Sequence, residues 1–161
     1  MTAKPVHVRS ATIRDYDGLV GLFDELDEFH RRARPDFFQR FDGPARSYQQ
    51  IEQWLGDSGS TVLVAERGGD VIGLVLLLPR SVRGFAGAVP RKVIEVDNLV
   101  VRADQRGGRV GRRLLAAAVD WARQEGATHV EVAVHAFNRD ARRFYENFGF
   151  APSVDRLVLT T

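Results

Sequence analysis

One turn of the chain combines arginines with glycines in a way that suits binding of a phosphorylated ligand. The turn follows an apolar stretch that ends at Val101. It contains five arginines and three glycines, namely Arg102, Arg106, Gly107, Gly108, Arg109, Gly111, Arg112 and Arg113. Glycines let a backbone approach a ligand closely, the free amides of a helix start attract anions, and guanidinium groups pair with phosphates. The turn therefore predicts a phosphate or pyrophosphate site.

This turn matches neither of the two standard nucleotide fingerprints. A P-loop needs Gly-Lys-Ser/Thr, and a dinucleotide-binding turn needs G-x-G-x-x-G with an acidic residue about 20 positions later. The alternative without a ligand is that these arginines form a solvated basic face of a helix. Binding of nucleic acid is a weaker alternative, because no aromatic residues alternate with these arginines to stack on bases. The net charge of the whole chain is also only +2, so we expect no nucleic-acid partner.

Length and composition limit the class of protein. The chain has 161 residues, 44% of them hydrophobic and 27% charged, which suits one domain over residues 1–161. The absence of cysteine excludes a disulfide scaffold, a thiolate nucleophile and a Cys-ligated zinc site. The histidines lack metal-ligand spacing, so no metal is expected. No apolar run reaches the ~20 residues of a membrane span, and we expect a cytoplasmic protein with no membrane partner.

The elements that must position this turn predict a mixed α/β fold. Apolar residues at strand or helix spacing define the elements. Predicted strands cover residues 6–13, 61–66, 71–78, 93–101, 130–134 and one or two closing strands in 150–160. Predicted helices cover about 15–32, 47–55, 110–125 and 138–148. Strand–helix–strand order over 93–135 implies one parallel pair. We therefore expect a mostly antiparallel central sheet with one parallel strand pair, flanked by about four helices.

Two motifs carry a resemblance to a known family. Residues 106–111 read Arg-Gly-Gly-Arg-Val-Gly and lead into Arg-Arg-Leu-Leu. Residues 138–150 read Asn-Arg-Asp-Ala-Arg-Arg-Phe-Tyr-Glu-Asn-Phe-Gly-Phe. In this order they resemble the Gln/Arg-x-x-Gly-x-Gly/Ala and Asn-x-x-Ala-x-x-Phe-Tyr-x-x-x-Gly-Phe segments of the GNAT superfamily of acyl-CoA N-acyltransferases. The resemblance implies that this chain has the mixed α/β fold of the GNAT superfamily. Arg109 departs from the pattern, since it stands where the family usually has glycine.

The resemblance implies acetyl-CoA as the co-substrate and indicates how it is held. The pyrophosphate would bind the turn formed by Arg106, Gly107, Gly108, Arg109, Val110, Gly111 and Arg112. The pantetheine arm would lie beside the preceding strand like an added strand and bond the backbone of Leu99, Val100 and Val101. Asn138, the expected N-cap of the last helix, has a side chain able to reach the same arm.

Transfer of an acyl group from a thioester to an amine needs a base for the ammonium and an acid for the thiolate. The resemblance gives Tyr145 the role of the acid, in contact with the cofactor. For the base, period-2 spacing places Glu95, Asp97 and Leu99 on one face of a strand. Glu95 matches the position at which several relatives place a glutamate base, and Asp97 is nearer the reaction centre. His135 is a third candidate. The alternative for the carboxylates is a solvated face or partners for nearby arginines.

The acceptor amine is the least defined part of the prediction. Histidine, arginines and phenylalanines cluster after the first helix, where relatives build the acceptor pocket: His30, Arg31, Arg32, Arg34, Phe37, Phe38 and Phe41. They could bind an acidic or aromatic amine, pack on the core, or form a dimer surface. We expect an N-acetyltransferase acting on a small-molecule or peptide amine by direct attack in a ternary complex. The alternative is a non-catalytic acyl-CoA-binding regulatory module. Relatives are often homodimers, and residues 157–159 are apolar enough to pair.

Overall fold

The computed structural model describes residues 2–161, among which five strands and four α-helices occur. The strands are β1 (Val6–Ser10), β2 (Thr61–Arg67), β3 (Asp70–Arg80), β4 (Val93–Val101) and β5 (His129–Val132). The helices are α1 (Tyr16–Ala33), α2 (Tyr48–Gly56), α3 (Val110–Gln124) and α4 (Arg139–Phe148). No helix among these residues has the length and apolar character needed to cross a bilayer.

The strands form one sheet in the order β1-β2-β3-β4-β5. The first four strands pair antiparallel, and β4 pairs parallel with β5 through the crossover helix α3. The predicted mixed α/β fold, with one parallel pair in a mostly antiparallel sheet and four flanking helices, is confirmed. The parallel pair places the end of β4 and the start of α3 next to each other, which is the position of the arginine-glycine turn.

Each face of the sheet carries its own apolar core. On one face, α3 buries Leu114, Leu115 and Ala118 completely against the strands, and Tyr145 of α4 packs on the same core. On the other face, Phe23 of α1 and the residues of α2 pack against β2 and β3. Full burial of a leucine or phenylalanine contributes roughly 1.5–3 kcal/mol. The two cores therefore fix β4 rigidly from both sides.

Local capping signals end the helices where the sequence predicts. The Ser47 hydroxyl accepts a hydrogen bond from the Gln50 amide (3.1 Å) at the start of α2. The Asn138 side-chain carbonyl accepts one from the Ala141 amide (3.1 Å) at the start of α4. Gly149 follows α4 with φ of +125°, a conformation that favours glycine. The N-cap predicted at Asn138 is confirmed, Ser47 forms a second one, and each satisfies an amide that would otherwise lack a partner.

A β-bulge interrupts β4 at Asp97. Leu76 of β3 lies opposite Asn98, whereas the next residue, Leu77, lies opposite Val96. Asp97 is therefore an extra residue that has no partner on β3. Bulges of this kind bend a strand and re-aim the side chain that they contain.

The bulge corrects the predicted alternation along β4. Val96 faces the core under α3, and Leu99 packs against that same core. Since neighbours in a strand alternate, Glu95 faces away from Val96 and hence away from Leu99. The prediction that Glu95, Asp97 and Leu99 share one face is wrong for Leu99, because the inserted residue reverses the alternation.

The predicted closing strands are also wrong. Residues 151–161 contain no strand, and β5 is the last strand of the sheet in the described part of the chain. The apolar residues of this segment have strand propensity, but a strand also needs a neighbour to satisfy its backbone. Two other predicted strands are shorter than expected. β1 ends at Ser10, before a 3-10 turn over Ile13–Asp15, and β5 ends at Val132, where β4 and β5 diverge.

Candidate functional site

A gap opens between β4 and the edge strand β5. The two strands pair only where Val93–Val96 face His129–Val132. The pairing stops next to the bulge at Asp97, which bends β4 away from its neighbour. Beyond this point, the side of β4 that faces β5 has no strand partner over 97–101 in the described residues. The gap therefore presents unpaired backbone to any extended ligand that enters it.

The direction of the backbone groups identifies which residues face the gap. The Arg102 amide donates to a carbonyl of β3 at 2.8 Å. Because successive amides of a strand point to opposite sides, Val100 bonds β3, whereas Leu99 and Val101 point into the gap. The Arg106 Nε agrees with this geometry, since it reaches the Val101 carbonyl from the open side at 3.0 Å.

The arginine-glycine turn leads from β4 into the exposed N-terminus of α3. Gly107 has φ of +81°, and Arg109 has φ of +63° and ψ of +13°. Arg109 is the only non-glycine residue with positive φ in 2–161. It thus adopts the backbone conformation that glycine would have there, at a cost of roughly 1 kcal/mol. No side chain caps α3, so the first-turn amides remain free to bind an anion.

The arginines of this turn retain most of their charge for a ligand. Arg102 is bound to Asp104 at 2.7 Å. Within residues 2–161, the other four make no ion pair: Arg106, Arg109, Arg112 and Arg113. The Arg112 guanidinium lies 5.2 Å from the centre of the Phe148 ring, so α4 helps to hold it. The positive charge around the start of α3 is therefore uncompensated, which favours binding of an anion there.

Gly111 lets α3 start close to the neighbouring elements. A Cβ at this position would lie 3.4 Å from Phe144 of α4 and 3.7 Å from Val101 of β4. A small residue therefore keeps the first turn of α3 packed between the end of β4 and α4. This packing brings both sequence motifs to the same end of the gap.

Glu95 lies half-buried on β4, just before the bulge. Desolvation raises the pKa of its carboxyl, and the charges of Asp97 and Glu131 raise it further. The charges of Arg80 and Arg156 act in the opposite direction without cancelling the effect. A carboxylate with a raised pKa accepts a proton more readily than an ordinary one, which suits a general base.

Asp97 lies at the bulge and also has a raised pKa. Desolvation is the main cause, although an amide hydrogen bond from Asn98 and the charge of Arg46 favour the ionised form. Its side chain keeps contact with solvent. The structure thus places both predicted carboxylates at the mouth of the gap, close enough for the charge of one to affect the other.

Tyr145 brings a hydroxyl to this region from α4. Its side chain is 8% exposed, and burial raises its pKa to about 12. Its ring packs edge-on against Phe144 at 5.2 Å and Phe150 at 5.5 Å. No hydrogen bond ties the hydroxyl to residues 2–161. The group therefore stays protonated at neutral pH and is free to donate. Asn138 uses its carbonyl in the helix cap, which leaves its NH₂ group for a ligand.

Five rings from three segments form a cluster on the other side of the gap. We call this set the ring cluster: Phe29, His30, Phe38, His135 and Phe137. The His30 and His135 rings lie 5.3 Å apart, and His135 stacks on Phe137 at 5.5 Å. The sequence predicted His30 and Phe38 as acceptor-pocket residues and His135 as a candidate base, but it missed Phe29 and Phe137. The signal for these two was weak, because an isolated phenylalanine near a helix end usually belongs to the core.

Burial in the ring cluster affects the predicted third base. It lowers the pKa of His135, and the nearby charges of His30 and Arg34 lower it further. His135 is therefore neutral at physiological pH and able to accept a proton. The His30 Nδ1 lies 2.9 Å from the Leu26 carbonyl, which orients its ring. In residues 2–161, no group of three or more histidine, aspartate or glutamate side chains could hold a metal ion.

The arginines near the ring cluster are mostly paired. Arg31, Arg32 and Arg40 all bind Glu28. Elsewhere, Arg34 binds Asp36 at 2.6 Å and also lies over the Phe37 ring, and Arg46 binds Asp27 at 2.8 Å. Each of these five arginines has an acidic partner, although three of them share Glu28, so the positive charge on this side is only partly compensated. The contrast with the arginine-glycine turn is that no arginine in this group lacks an acidic partner.

Comparisons with solved structures support the fold. A Bacillus halodurans protein, solved as a tetramutant, superposes with a TM-score of 0.89 over 96% of this chain and 99% of that protein, at 24% identity. An aminoglycoside N-acetyltransferase solved in complex with CoA superposes with a TM-score of 0.78 over 99% of this chain and 96% of its own, at 17% identity. At these identities, the likeness extends to the fold.

Comparisons of sequence identify the family. The model of the acetyltransferase (GNAT) family matches residues 23–150. The aminoalkylphosphonate N-acetyltransferase of Salmonella typhimurium is 32% identical over 146 residues, covering 91% of this chain and 85% of that enzyme. The uncharacterized N-acetyltransferase YhfO of Bacillus subtilis is 30% identical over 145 residues, covering 90% of this chain and 89% of that protein. With the gap, the turn and both motifs in place, this chain belongs to the GNAT acetyltransferase family.

Proposed function

We propose that the protein transfers an acetyl group from acetyl-CoA to a primary amine by direct attack in a ternary complex. One observation carries the proposal: the gap beside the bulge at Asp97 leads directly to the uncapped, arginine-rich start of α3. An extended arm that ends in a pyrophosphate fits this combination of unpaired backbone and free amides. We assign both carboxylates and Tyr145 to the thioester end of such an arm.

The pyrophosphate would bind the free amides at the start of α3. Arg106, Arg109 and Arg112 would pair with its oxygens, since none of them has an acidic partner in the described residues. The αL conformation of Arg109 supports this assignment, because it leaves the backbone path of the turn as glycine would leave it. The departure from the family pattern thus changes the side chain but not the course of the backbone.

The pantetheine arm would add to β4 from the open side of the gap. Leu99 and Val101 direct their backbone groups there, whereas Val100 is bonded to β3. The backbone of Val100 would therefore make no hydrogen bond to the arm, and only Leu99 and Val101 would bond it. The Asn138 NH₂ group would donate to a carbonyl of the arm from the opposite side. A backbone amide of β4 would polarise the thioester carbonyl.

The chemistry requires two proton movements. Glu95 or Asp97 would take a proton from the ammonium group, directly or through water, because both carboxyls have raised pKa values. The neutral amine then attacks the thioester carbon, a C–N bond forms and the C–S bond breaks. Tyr145 would donate its hydroxyl hydrogen to the departing sulfur and recover a proton from solvent. The products are an amide and CoA, with the second amine proton released.

We further propose that the acceptor presents an apolar or aromatic group to the ring cluster. The supporting observation is that each of the nearby arginines already has an acidic partner in Glu28, Asp36 or Asp27, so that none is unpaired as the arginines of the turn are. The Salmonella relative is an aminoalkylphosphonate N-acetyltransferase. An aminoalkylphosphonate therefore belongs in the test as the competing, acidic class of acceptor. A homodimer is also part of the proposal, with the exposed apolar end of the chain as its support.

Release of CoA tests the proposal directly. The protein contains no cysteine, so a thiol reagent detects only the CoA that the reaction frees. Acetyl-CoA is offered with aromatic amines, aminoalkylphosphonates, an aminoglycoside and a peptide, and mass spectrometry checks each acceptor for one added acetyl group. We expect turnover with at least one amine, reduced by about 10²–10⁴-fold in Glu95→Gln/Asp97→Asn. Calorimetric binding of acetyl-CoA without turnover on any amine would favour the non-catalytic module.

A further inference from the structure

Two buried polar atoms without a hydrogen bond belong to side chains that reach the arginine-glycine turn. In residues 2–161, the buried side-chain nitrogen and oxygen atoms that lack a partner in the protein are Glu25 Oε2 and Arg67 Nε. Glu25 lies in the middle of α1, and Arg67 is the last residue of β2. Burial of an unpartnered polar atom is costly, so such atoms call for an explanation. The other polar atoms of both side chains supply one, because they hold the turn.

Both side chains bind the short 3-10 turn Ala103–Gln105, which lies at the beginning of the arginine-glycine turn. The Ala103 amide donates to Glu25 Oε1 at 3.3 Å. The Arg67 guanidinium donates from Nη1 to the side-chain carbonyl of Gln105. These contacts join residues that are 78 and 38 positions apart in the sequence. The 3-10 turn is therefore held from two sides by elements that are distant along the chain.

Gln105 attaches this part of the turn to the body of the protein. It is half-buried, whereas residues 103–104 and 106–109 are exposed. Its backbone amide closes the 3-10 turn by donating to the Arg102 carbonyl at 2.9 Å. Its side-chain NH₂ group donates to Asp104 at 3.4 Å, while its side-chain carbonyl accepts from Arg67. We call Glu25, Arg67 and Gln105 the turn clamp.

The turn clamp lies immediately before the backbone amides that are free to bind an anion. Gly107 and Arg109 follow within four residues of Gln105, both in the left-handed conformation. A backbone amide has no rotamer with which to adjust its direction, so it depends on the path of the chain on either side. Packing of α3 fixes one side of this path, and the turn clamp fixes the other. Displacement of such donors by about 1 Å is enough to impair a site.

We propose that Glu25 and Arg67 are positioning residues for acetyl-CoA. Through the Ala103 amide and the Gln105 side chain, they fix the backbone path of the arginine-glycine turn and thereby set its affinity for the pyrophosphate. This inference rests on the proposed function, because it requires acetyl-CoA to bind at this turn. It gives neither residue a part in the proton movements, so kcat at saturating acetyl-CoA should not depend on them.

Calorimetric titration with acetyl-CoA tests the contact between Arg67 and Gln105. Arg67→Met and Gln105→Met each remove it, the second without a change of charge. We expect each variant to raise the Kd about 10-fold, and the double variant to bind no more weakly than either, because all three lack the same contact. The matched control Arg14→Met removes an exposed arginine elsewhere and should leave the Kd unchanged. Losses that add in the double variant would overturn the clamp.

Glu25 is tested by the sign of its effect. Removal of a negative charge near an anion site should by itself tighten binding of the anion. We expect Glu25→Ala to weaken binding of acetyl-CoA several-fold instead, because the Ala103 amide loses its acceptor. Glu25→Gln keeps an oxygen for this amide and should bind as the wild type does. Asp24→Ala, at the exposed neighbouring position of α1, is the control for charge. Tighter binding by Glu25→Ala would remove Glu25 from the proposal.

A truncated donor separates positioning from a general loss of structure. S-acetylpantetheine carries the thioester and the arm but no pyrophosphate. With the amine that the wild type acetylates fastest, Arg67→Met should lower kcat/KM for acetyl-CoA about 10-fold, with kcat for acetyl-CoA and kcat/KM for S-acetylpantetheine unchanged. An equal loss for both donors would show a merely structural role.

The wild type separates failure of this inference from failure of the proposed function. If the wild type does not bind acetyl-CoA, the proposed function is wrong and the positioning role falls with it. If the wild type binds acetyl-CoA and both Arg67→Met and Gln105→Met bind it equally well, only the positioning role is overturned.

Discussion

The two sides of the gap between β4 and β5 offer different chemical groups to a ligand, backbone amides on one side and side chains on the other. The arginine-glycine side consists of backbone amides and a turn, all contributed by one continuous segment from β4 into α3. The ring-cluster side consists of side chains from the end of α1, from the α1–α2 connection and from the segment after β5. A shared scaffold of backbone can thus hold a common co-substrate, while the side chains opposite are free to differ and select the acceptor.

The two sides also differ in charge. Four arginines near the start of α3 lack acidic partners in residues 2–161, whereas the arginines near the ring cluster are held by Glu28, Asp36 and Asp27. Free charge attracts an anion from solution, and paired charge contributes rigidity without attracting one. Substitutions on each side should therefore affect different substrates, and the following experiments test that separation.

The largest effect is expected where the two sides meet, at the carboxylates. Glu95→Gln/Asp97→Asn should lower kcat by about 10²–10⁴-fold, the range of general acid–base catalysis. Since the pKa of Glu95 is raised, the wild-type kcat/KM should increase with pH above the ordinary glutamate range, and the variant should lose this increase. Full turnover by the variant at every pH would show that the base lies elsewhere, with His135 as the next candidate.

Glu95→Gln alone should lower activity but raise stability at neutral pH. A carboxyl with a raised pKa in the folded state binds its proton more tightly there than in the unfolded chain. Its favourable contribution is present at low pH and is lost as the pH rises through the folded-state pKa. Glu95→Gln should therefore be more stable than the wild type at neutral pH and lose this advantage in acid. Thermal unfolding at several pH values measures the difference.

Tyr145→Phe should lower kcat by about 100-fold if the hydroxyl protonates the departing sulfur. The melting temperature should change little, because the hydroxyl makes no hydrogen bond within residues 2–161 and the ring stays in place. The matched control is Tyr48→Phe, an exposed tyrosine of α2. An unchanged kcat in Tyr145→Phe would leave solvent as the proton donor.

Arg106→Ala/Arg112→Ala should weaken binding of acetyl-CoA at least about 10-fold, because charge-assisted hydrogen bonds to the phosphates are lost. The KM for the amine should not change. Arg123→Ala/Arg143→Ala removes two arginines that already have acidic neighbours on their own helices and should leave both values unaltered. Calorimetry and steady-state kinetics separate the two effects, and an equal loss for both substrates would contradict the division between the sides.

The converse substitution is His135→Ala in the ring cluster. It should raise the KM for the acceptor several-fold, by roughly the 0.5–1.5 kcal/mol of an aromatic contact, and leave acetyl-CoA binding unchanged. The control is Phe41→Ala, a 55% exposed phenylalanine outside the cluster. A fall in kcat together with a lost pH dependence would instead identify His135 as the base.

The smallest effect concerns the backbone of the turn. Arg109→Gly should raise the free energy of unfolding by roughly 1 kcal/mol, because glycine adopts the left-handed conformation at this position without the steric strain of a Cβ. Gly107→Ala, at φ of +81°, should lower it by a similar amount. Denaturant unfolding measures both. If Arg109→Gly also weakens acetyl-CoA binding, the Arg109 side chain and not only its backbone contacts the ligand.

The sequence predicted the arginine-glycine side in detail because its signals are local. The turn, the helix that follows and the cap at Asn138 each depend on residues a few positions apart. The ring cluster could be predicted only in part, since Phe29 and Phe137 meet through the tertiary fold. The bulge at Asp97 was not foreseen, because an inserted residue has no signature in the apolar pattern of a single strand.

The closing strands failed for a related reason. The apolar residues of 150–160 have strand propensity, but a strand also needs a neighbouring strand to pair with, and that neighbour cannot be read from these residues. Apart from β1 and β5, the bounds of the other elements agree closely with the prediction, for example β4 at Val93–Val101 and α3 at Val110–Gln124. These are long, strongly patterned elements that are held by the two cores.

The one-sided pairing at the end of β4 makes this strand a natural reporter of occupancy. The Val100 amide is hydrogen-bonded to β3, while the amides of Leu99 and Val101 face an open gap. Amide hydrogens of adjacent residues should consequently exchange with deuterium at alternating rates in the free protein. An arm bound in the gap would slow exchange of the Leu99 and Val101 amides and leave the exchange rate of the Val100 amide unchanged. Hydrogen exchange along this one strand would therefore report whether the gap is occupied.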